Sequence, residues 1–449
     1  MAENNTPRTQ FPFELISLVC HHLTSDVHRD FFGYAYKMAP QSLYYPDIDK
    51  EIYHRMSGLT AISLVSKLWL SAANSYLYET PLLTSPDRIQ QFARTLKAVP
   101  ELRHRVKDIL VLNHIADNGR FVLYPRLVAS RARASLLWVA RHCHALKAIS
   151  FHSGPFARLP LVQMSHLLTP ESAYNSSLTR LTIFGKIHPF PTAKELTASG
   201  RPVVILPCLE VFCLRSLEIP IDFQIPSFPN MRVLQIVQCI IPNDVSNLFP
   251  PNHQLPKLQS LELYENRLPL GPVLSDVLHV DPSNMRTITK VILIGPLELG
   301  MFSRSWTRIS GGSHLPLMLA NIKDITLGGG WLEVYCDIEL WKFHPSLESL
   351  TIVFPVGHVD AHATVDEEIL MHIHNCLSSQ YRLRSLKRLI FRFDLDDFQL
   401  LGVDIELALR DFQTFCATRG IELLVQSSSQ YINKWLTSRV LDSTLSEME

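Results

Sequence analysis

The chain has 449 residues, 47% hydrophobic and 19% charged, which is longer than one core usually serves and too apolar for extended disorder. Its 42 Lys and Arg are matched by 42 Asp and Glu, so the overall basic excess that nucleic-acid binding draws on is missing and no nucleic-acid partner is expected. That balance describes the whole chain and does not speak to a local patch.

In chain order, residues 1–10 are polar and show no apolar secretory core. Residues 11–23 read Phe-Pro-Phe-Glu-Leu-Ile-Ser-Leu-Val-Cys-His-His-Leu. Pro12 suits the first turn of a helix, where its missing N–H costs nothing, and Leu15, Ile16, Val19 and Leu23 then share one face. A second helix is expected over about 58–78, running through Ile62-Ser-Leu64-Val65-Ser66-Lys67-Leu68-Trp69, and a third over Ile89 to Leu96. An aromatic stretch at about 24–57, with Tyr34, Tyr44, Tyr53, Pro40 and Pro46, separates the first two.

From residue 106 onward one signature recurs, apolar-x-x-apolar-x-apolar, beginning with Val106/Ile109/Val111 and ending with Leu386/Leu389/Phe391. Ten copies follow one another at steps of 22 to 40 residues. Two are extended: Leu258-Gln-Ser-Leu261-Glu-Leu263-Tyr-Glu-Asn266-Arg-Leu268, and Met231-Arg-Val-Leu234-Gln-Ile236-Val-Gln-Cys239-Ile-Ile241. Each copy predicts a short strand that points alternate side chains inward and then turns, with Asn266 or Cys239 inside the turn. Lead-ins such as Leu206-Pro207-Cys208-Leu209 and Phe228-Pro229-Asn230-Met231 share one phase, Pro marking where a strand begins. Helices are expected over 133–142, 367–377 and 404–416, a last strand over 421–425, and a fraying tail over 437–449.

No stretch approaches the roughly 20 apolar residues of a membrane span, so no membrane partner is expected. The eight cysteines form no C-x-x-C and read as buried, reduced thiols. No frame for a nucleophile, a phosphate loop or a metal appears, and neither an enzyme nor a cofactor is expected. His372 and His374 point about 200° apart on a helix and do not share a metal. Gly328-Gly329-Gly330 reads as a turn.

The extended signatures resemble leucine-rich repeats, whose regular period is about 20 to 29 residues, so the longer steps imply irregular repeats with insertions. The Pro-x-Glu-Leu opening and the later Leu-Val-Ser-Lys-x-Trp resemble the F-box, although about 35 residues separate segments that this family joins by a short loop. The resemblances imply an α/β protein: an F-box-like helical domain over 8–80 with an insert at about 24–57, then a leucine-rich-repeat solenoid over 81–436. The latter is a horseshoe with parallel strands on its concave face. By resemblance, Pro12, Leu15, Ile16, Leu64, Val65 and Trp69 bind a Skp-type adaptor and through it a cullin–RING (SCF-type) ubiquitin ligase. The alternative is that the same six form the core of a helical cap on a repeat scaffold with no ubiquitin role, since the first repeat needs its open end covered. The registered strands would present Val237, Tyr264, Ile292, Ile294, Phe354, Arg392 and Phe393 to an unknown target protein. A receptor of this kind is expected in the cytoplasm, the nucleus or both.

Overall fold

The computed structural model describes residues 13–33, 57–111, 126–152, 177–184, 206–215, 228–237, 239, 257–264, 287–295, 320–329, 331–332, 344–354, 373–375, 377, 384–393 and 403–427. Pro12, Asn266 and His372 lie outside them, as do the tail from 437 and most of the 24–57 stretch. Two compact units divide the chain: one comprises Met1–Met38, Tyr44–Ala157 and Glu171–Leu178, the other Ala39–Leu43, Arg158–Pro170 and Thr179–Glu449.

The first unit opens with α1 (Phe13–Gly33), which continues ten residues past the Leu23 end that the sequence suggested. Ile16 and Cys20, one turn apart, are buried on it. The expected 58–78 helix is two: residues 57–63 (α2) and Lys67–Glu79 (α3). Ser66 makes the break. Its backbone is extended (φ −163°, ψ 168°) and its Oγ accepts from the Trp69 N–H at 3.4 Å, capping α3. Leu64 and Val65 close α2 with i to i−3 hydrogen bonds to Ala61 and Ile62, both 3.1 Å. The small Ala72 and Ala73 are buried on α3, which packs against α1; Ser17 and Tyr76 hydroxyls meet at 3.1 Å.

After β1 (Leu82–Leu83) comes α4 (Pro86–Ala98), whose ends follow local rules. Ser85 Oγ accepts from the Arg88 N–H, Pro86 sits in the first turn, Asp87 faces the positive end and Lys97 the negative end. Ile89, Ala93 and Leu96 bury one stripe. A 3-10 turn (Pro100–His104) leads to β2 (Asp108–Val111), then α5 (Arg126–His142) and β3 (Ala148–His152). Strands β1, β2 and β3 pair in that order, all parallel. The two-residue β1 is too short to carry the triplet signature, and sequence reading missed it.

The second unit holds β4 (Arg180–Phe184), β5 (Val211–Arg215), β6 (Val233–Val237), β7 (Ser260–Tyr264), β8 (Lys290–Ile294), β9 (Asp324–Gly328), β10 (Ser349–Phe354), β11 (Arg388–Phe393), α6 (Val403–Arg419) and β12 (Glu422–Ser427). Each strand pairs in parallel with the next in sequence, so order in space is order along the chain. Parallel strands with helices in the connections make this an α/β protein.

Register explains why one apolar triplet keeps returning. Leu181, Phe212, Leu234, Leu261, Val291, Ile325, Leu350 and Leu389 form one continuous row across β4–β11. Two residues on, Ile183, Leu214, Ile236, Leu263, Leu293, Leu327, Ile352 and Phe391 form a second, and both rows are buried. Each strand therefore contributes two enclosed side chains, about 1.5–3 kcal/mol apiece. The residue just before each strand accepts two N–H groups from the next: Glu210 from Arg232 and Val233, Arg232 from Gln259 and Ser260, Gln259 from Thr289 and Lys290. A one-residue slip of register would break that column and carry the leucine rows to the opposite face of the sheet.

The shared lead-ins are turns. Leu209 N–H bonds Leu206 O at 3.2 Å, Met231 bonds Phe228 O at 3.1 Å and Leu347 bonds His344 O at 3.3 Å. Pro207, Pro229 and Pro345 occupy the second turn position, where a fixed φ fits and no N–H is needed. Cys239 is fully buried just beyond β6, its thiol donating to Val237 O at 3.5 Å.

Candidate functional site

Helices α1, α2 and α3 leave much apolar surface outside. Leu64 is 81% exposed, Val65 68% and Leu15 47%; Phe13, Leu18, Val19, Leu68 and Leu70 are exposed too. Of the six residues that the sequence singled out, Leu15, Leu64 and Val65 are therefore open, and Trp69 is half-buried. Ile16 is fully enclosed and serves the helices' own core. Leu64 and Val65 are open because Ser66 ends the helical run there: side chains at a break project past the packed face. Leu64 also borders a groove of about 540 Å3, lined in addition by Thr60, Leu77, Leu82, Arg88 and Phe92. Such a concentration of aliphatic surface is what a protein partner covers.

In the second unit the residues proposed to meet a target fall into register. Val237, Tyr264 and Ile294 are successive partners across β6, β7 and β8, while Arg392 pairs with Val353 and Phe393 with Phe354 across β11 and β10. Ile292 lies opposite Glu262. Val237, Tyr264 and Ile292 are buried, whereas Ile294 and Arg392 are half-buried; the side chains of Phe354 and Phe393 lie outside the described residues. The buried group at the centre of this face is a carboxylate. Glu262, 0% exposed, accepts from Gln235 Nε2 at 2.7 Å, Ser260 Oγ at 2.9 Å and Tyr264 OH at 3.5 Å. Alternation along each strand puts Gln235 on one face of β6 and Ser260, Glu262 and Tyr264 on one face of β7, but the cluster needs the pairing of strands whose Gln235 and Glu262 lie 27 residues apart.

Three thiols are held neutral by burial. The Cys143 thiol is pushed up to about 12, burial outweighing the pull of Arg103, and that of Cys416 to about 11; Cys20 is raised for the same reason. None is poised as a nucleophile. At the surface, Glu348 bridges Lys387 at 2.8 Å and Lys323 at 3.3 Å, and these hydrogen bonds hold its carboxyl below the usual range.

Gly328 ends β9 and Gly329 forms the turn after it. His374 packs edge-on against Phe412 and Phe415, its ring centroid 5.3 and 5.6 Å from theirs. Among the described residues no three His, Cys, Asp or Glu gather as a metal site, and no helix is long and apolar enough to cross a membrane. The chain matches no protein-family model and no curated protein.

Proposed function

We propose that this protein is a non-catalytic substrate receptor of a cullin–RING ubiquitin ligase. In this reading α1–α3 act as an F-box-like segment for a Skp-type adaptor, and the parallel strands act as irregular leucine-rich repeats that hold a target protein. The reading is carried by the exposure of Leu15, Leu64 and Val65: the motif residues stand outside the helical core and await a partner. Ile16, enclosed, is structural in this assignment. Support for the repeat half comes from the in-register leucine rows and from Cys239, buried two residues beyond β6 where the repeat pattern expects a small polar group. Target contact falls to the half-open Ile294 and Arg392 rather than to Val237, Tyr264 and Ile292, which are already enclosed.

The receptor performs no bond chemistry. It raises the local concentration of a target near subunits that transfer ubiquitin. Co-expression with a tagged Skp-type adaptor tests it: a stoichiometric complex at moderate salt is expected. A folded chain that elutes free of adaptor would leave only a repeat scaffold with a helical cap.

A further inference from the structure

The C-terminal ends of α4 and α5 converge on Trp138. His142 stacks on its ring at 4.3 Å, and Lys97 Nζ and Arg103 Cζ lie over it at 4.8 and 5.1 Å. His104 and His144 stack on each other at 6.2 Å beside them. In sequence, residues 94–111 and 126–147 carry ten Lys and Arg against two Asp and Glu, in a chain that is neutral as a whole; Lys107 among them is already paired with Glu79 at 2.6 Å. Lys97, Arg105 and Arg141 are exposed, and among the described residues neither they nor Arg103 has a carboxylate partner. Arg103 donates its Nε–H to Leu96 O at 2.9 Å, as a cap on α4; among the described residues its other four donors show no acceptor.

We infer that this face is a docking surface for an acidic stretch of another protein. Lys97, Arg103, Arg105 and Arg141 supply the charge complementarity, and the stacked Trp138 fixes Lys97 and Arg103 in place. A nucleic acid fits less well, since base readout on a single strand needs a free aromatic face and Trp138 is already covered by His142 and the two cations. The inference is independent of the adaptor reading, because none of these residues lies on α1–α3.

The test uses the whole chain and two fluorescein-labelled dodecapeptides, one rich in Glu and Asp and one in phosphoserine, followed by anisotropy. Saturable binding of either peptide at 50 mM salt is expected, weakening about tenfold or more at 500 mM as screening sets in. The triple variant Lys97→Gln/Arg105→Gln/Arg141→Gln, which removes only exposed charges, is expected to bind about tenfold more weakly while remaining folded, with the unfolding midpoint lowered by only a few degrees for the loss of Lys97 from the α4 end and the Trp138 ring. Absence of saturable binding by both peptides, equal affinity in the triple variant, or tighter binding of a labelled single-stranded dodecanucleotide would each overturn it.

Discussion

Replacing Leu64 and Val65 together by Ala tests the central claim, because the two residues should matter to a partner and not to the fold. Fully burying a Leu or Val side chain is worth about 1.5–3 kcal/mol. With 81% and 68% of these residues still in contact with water, most of that remains to be gained on association. Alanine retains part of the surface, so the double substitution should cost about 2 to 3 kcal/mol of adaptor binding, on the order of 30- to 150-fold in Kd. Stability should change by less than about 0.5 kcal/mol, as for other exposed substitutions. Titration calorimetry with a purified adaptor reads the first quantity, and urea denaturation the second. Ile16→Ala supplies the contrast: this side chain is enclosed, and its loss should destabilise the fold by about 2–5 kcal/mol. A double variant that keeps its adaptor affinity within twofold while folded would refute the interface. A large drop in stability would show instead that the pair is core.

Gly329→Ala should destabilise the second unit by several kcal/mol in denaturant titrations, since φ is +60° and a Cβ would stand 1.9 Å from Gly295 O, which is backbone and has little room to move; a change under about 1 kcal/mol would count against this geometry. Glu262→Ala should cost about 2–4 kcal/mol because it strands the buried amide of Gln235 and the hydroxyl of Ser260 without their acceptor, and a neutral result in thermal unfolding would contradict the cluster. Iodoacetamide at pH 8 should leave Cys20, Cys143 and Cys416 unmodified in the native protein and alkylate them after unfolding, as read by mass spectrometry. Because the folded values for Cys143 and Cys416 are raised above the ordinary 9.0, the stability they protect is complete below pH 9 and is lost progressively towards pH 12; unfolding midpoints should fall across that window.

Much of the architecture was legible in the residues alone. Alternation writes a strand that buries one face, so the triplets located β2 through β11, and recurrence of one phase implied that neighbours stack in sequence order. Helix α4 was legible as Ile89 to Leu96, and its full extent, Pro86–Ala98, adds ends that follow local preferences at Ser85, Pro86 and Lys97. What the chain could not reveal by pattern was which side chains another segment covers. The apolar periodicity over 58–78 runs straight through Ser66, yet that residue caps a new helix, which leaves Leu64 and Val65 outside. Leu15 and Ile16 match the same motif, but only the latter turns inward among the helices. Glu262 reads as an ordinary polar strand residue until β6 brings Gln235 within 2.7 Å, and Lys97 and Trp138 meet across 41 residues of chain. Periodicity records the preferences of a few adjacent residues, whereas burial, pairing and exposure depend on segments that only folding brings together.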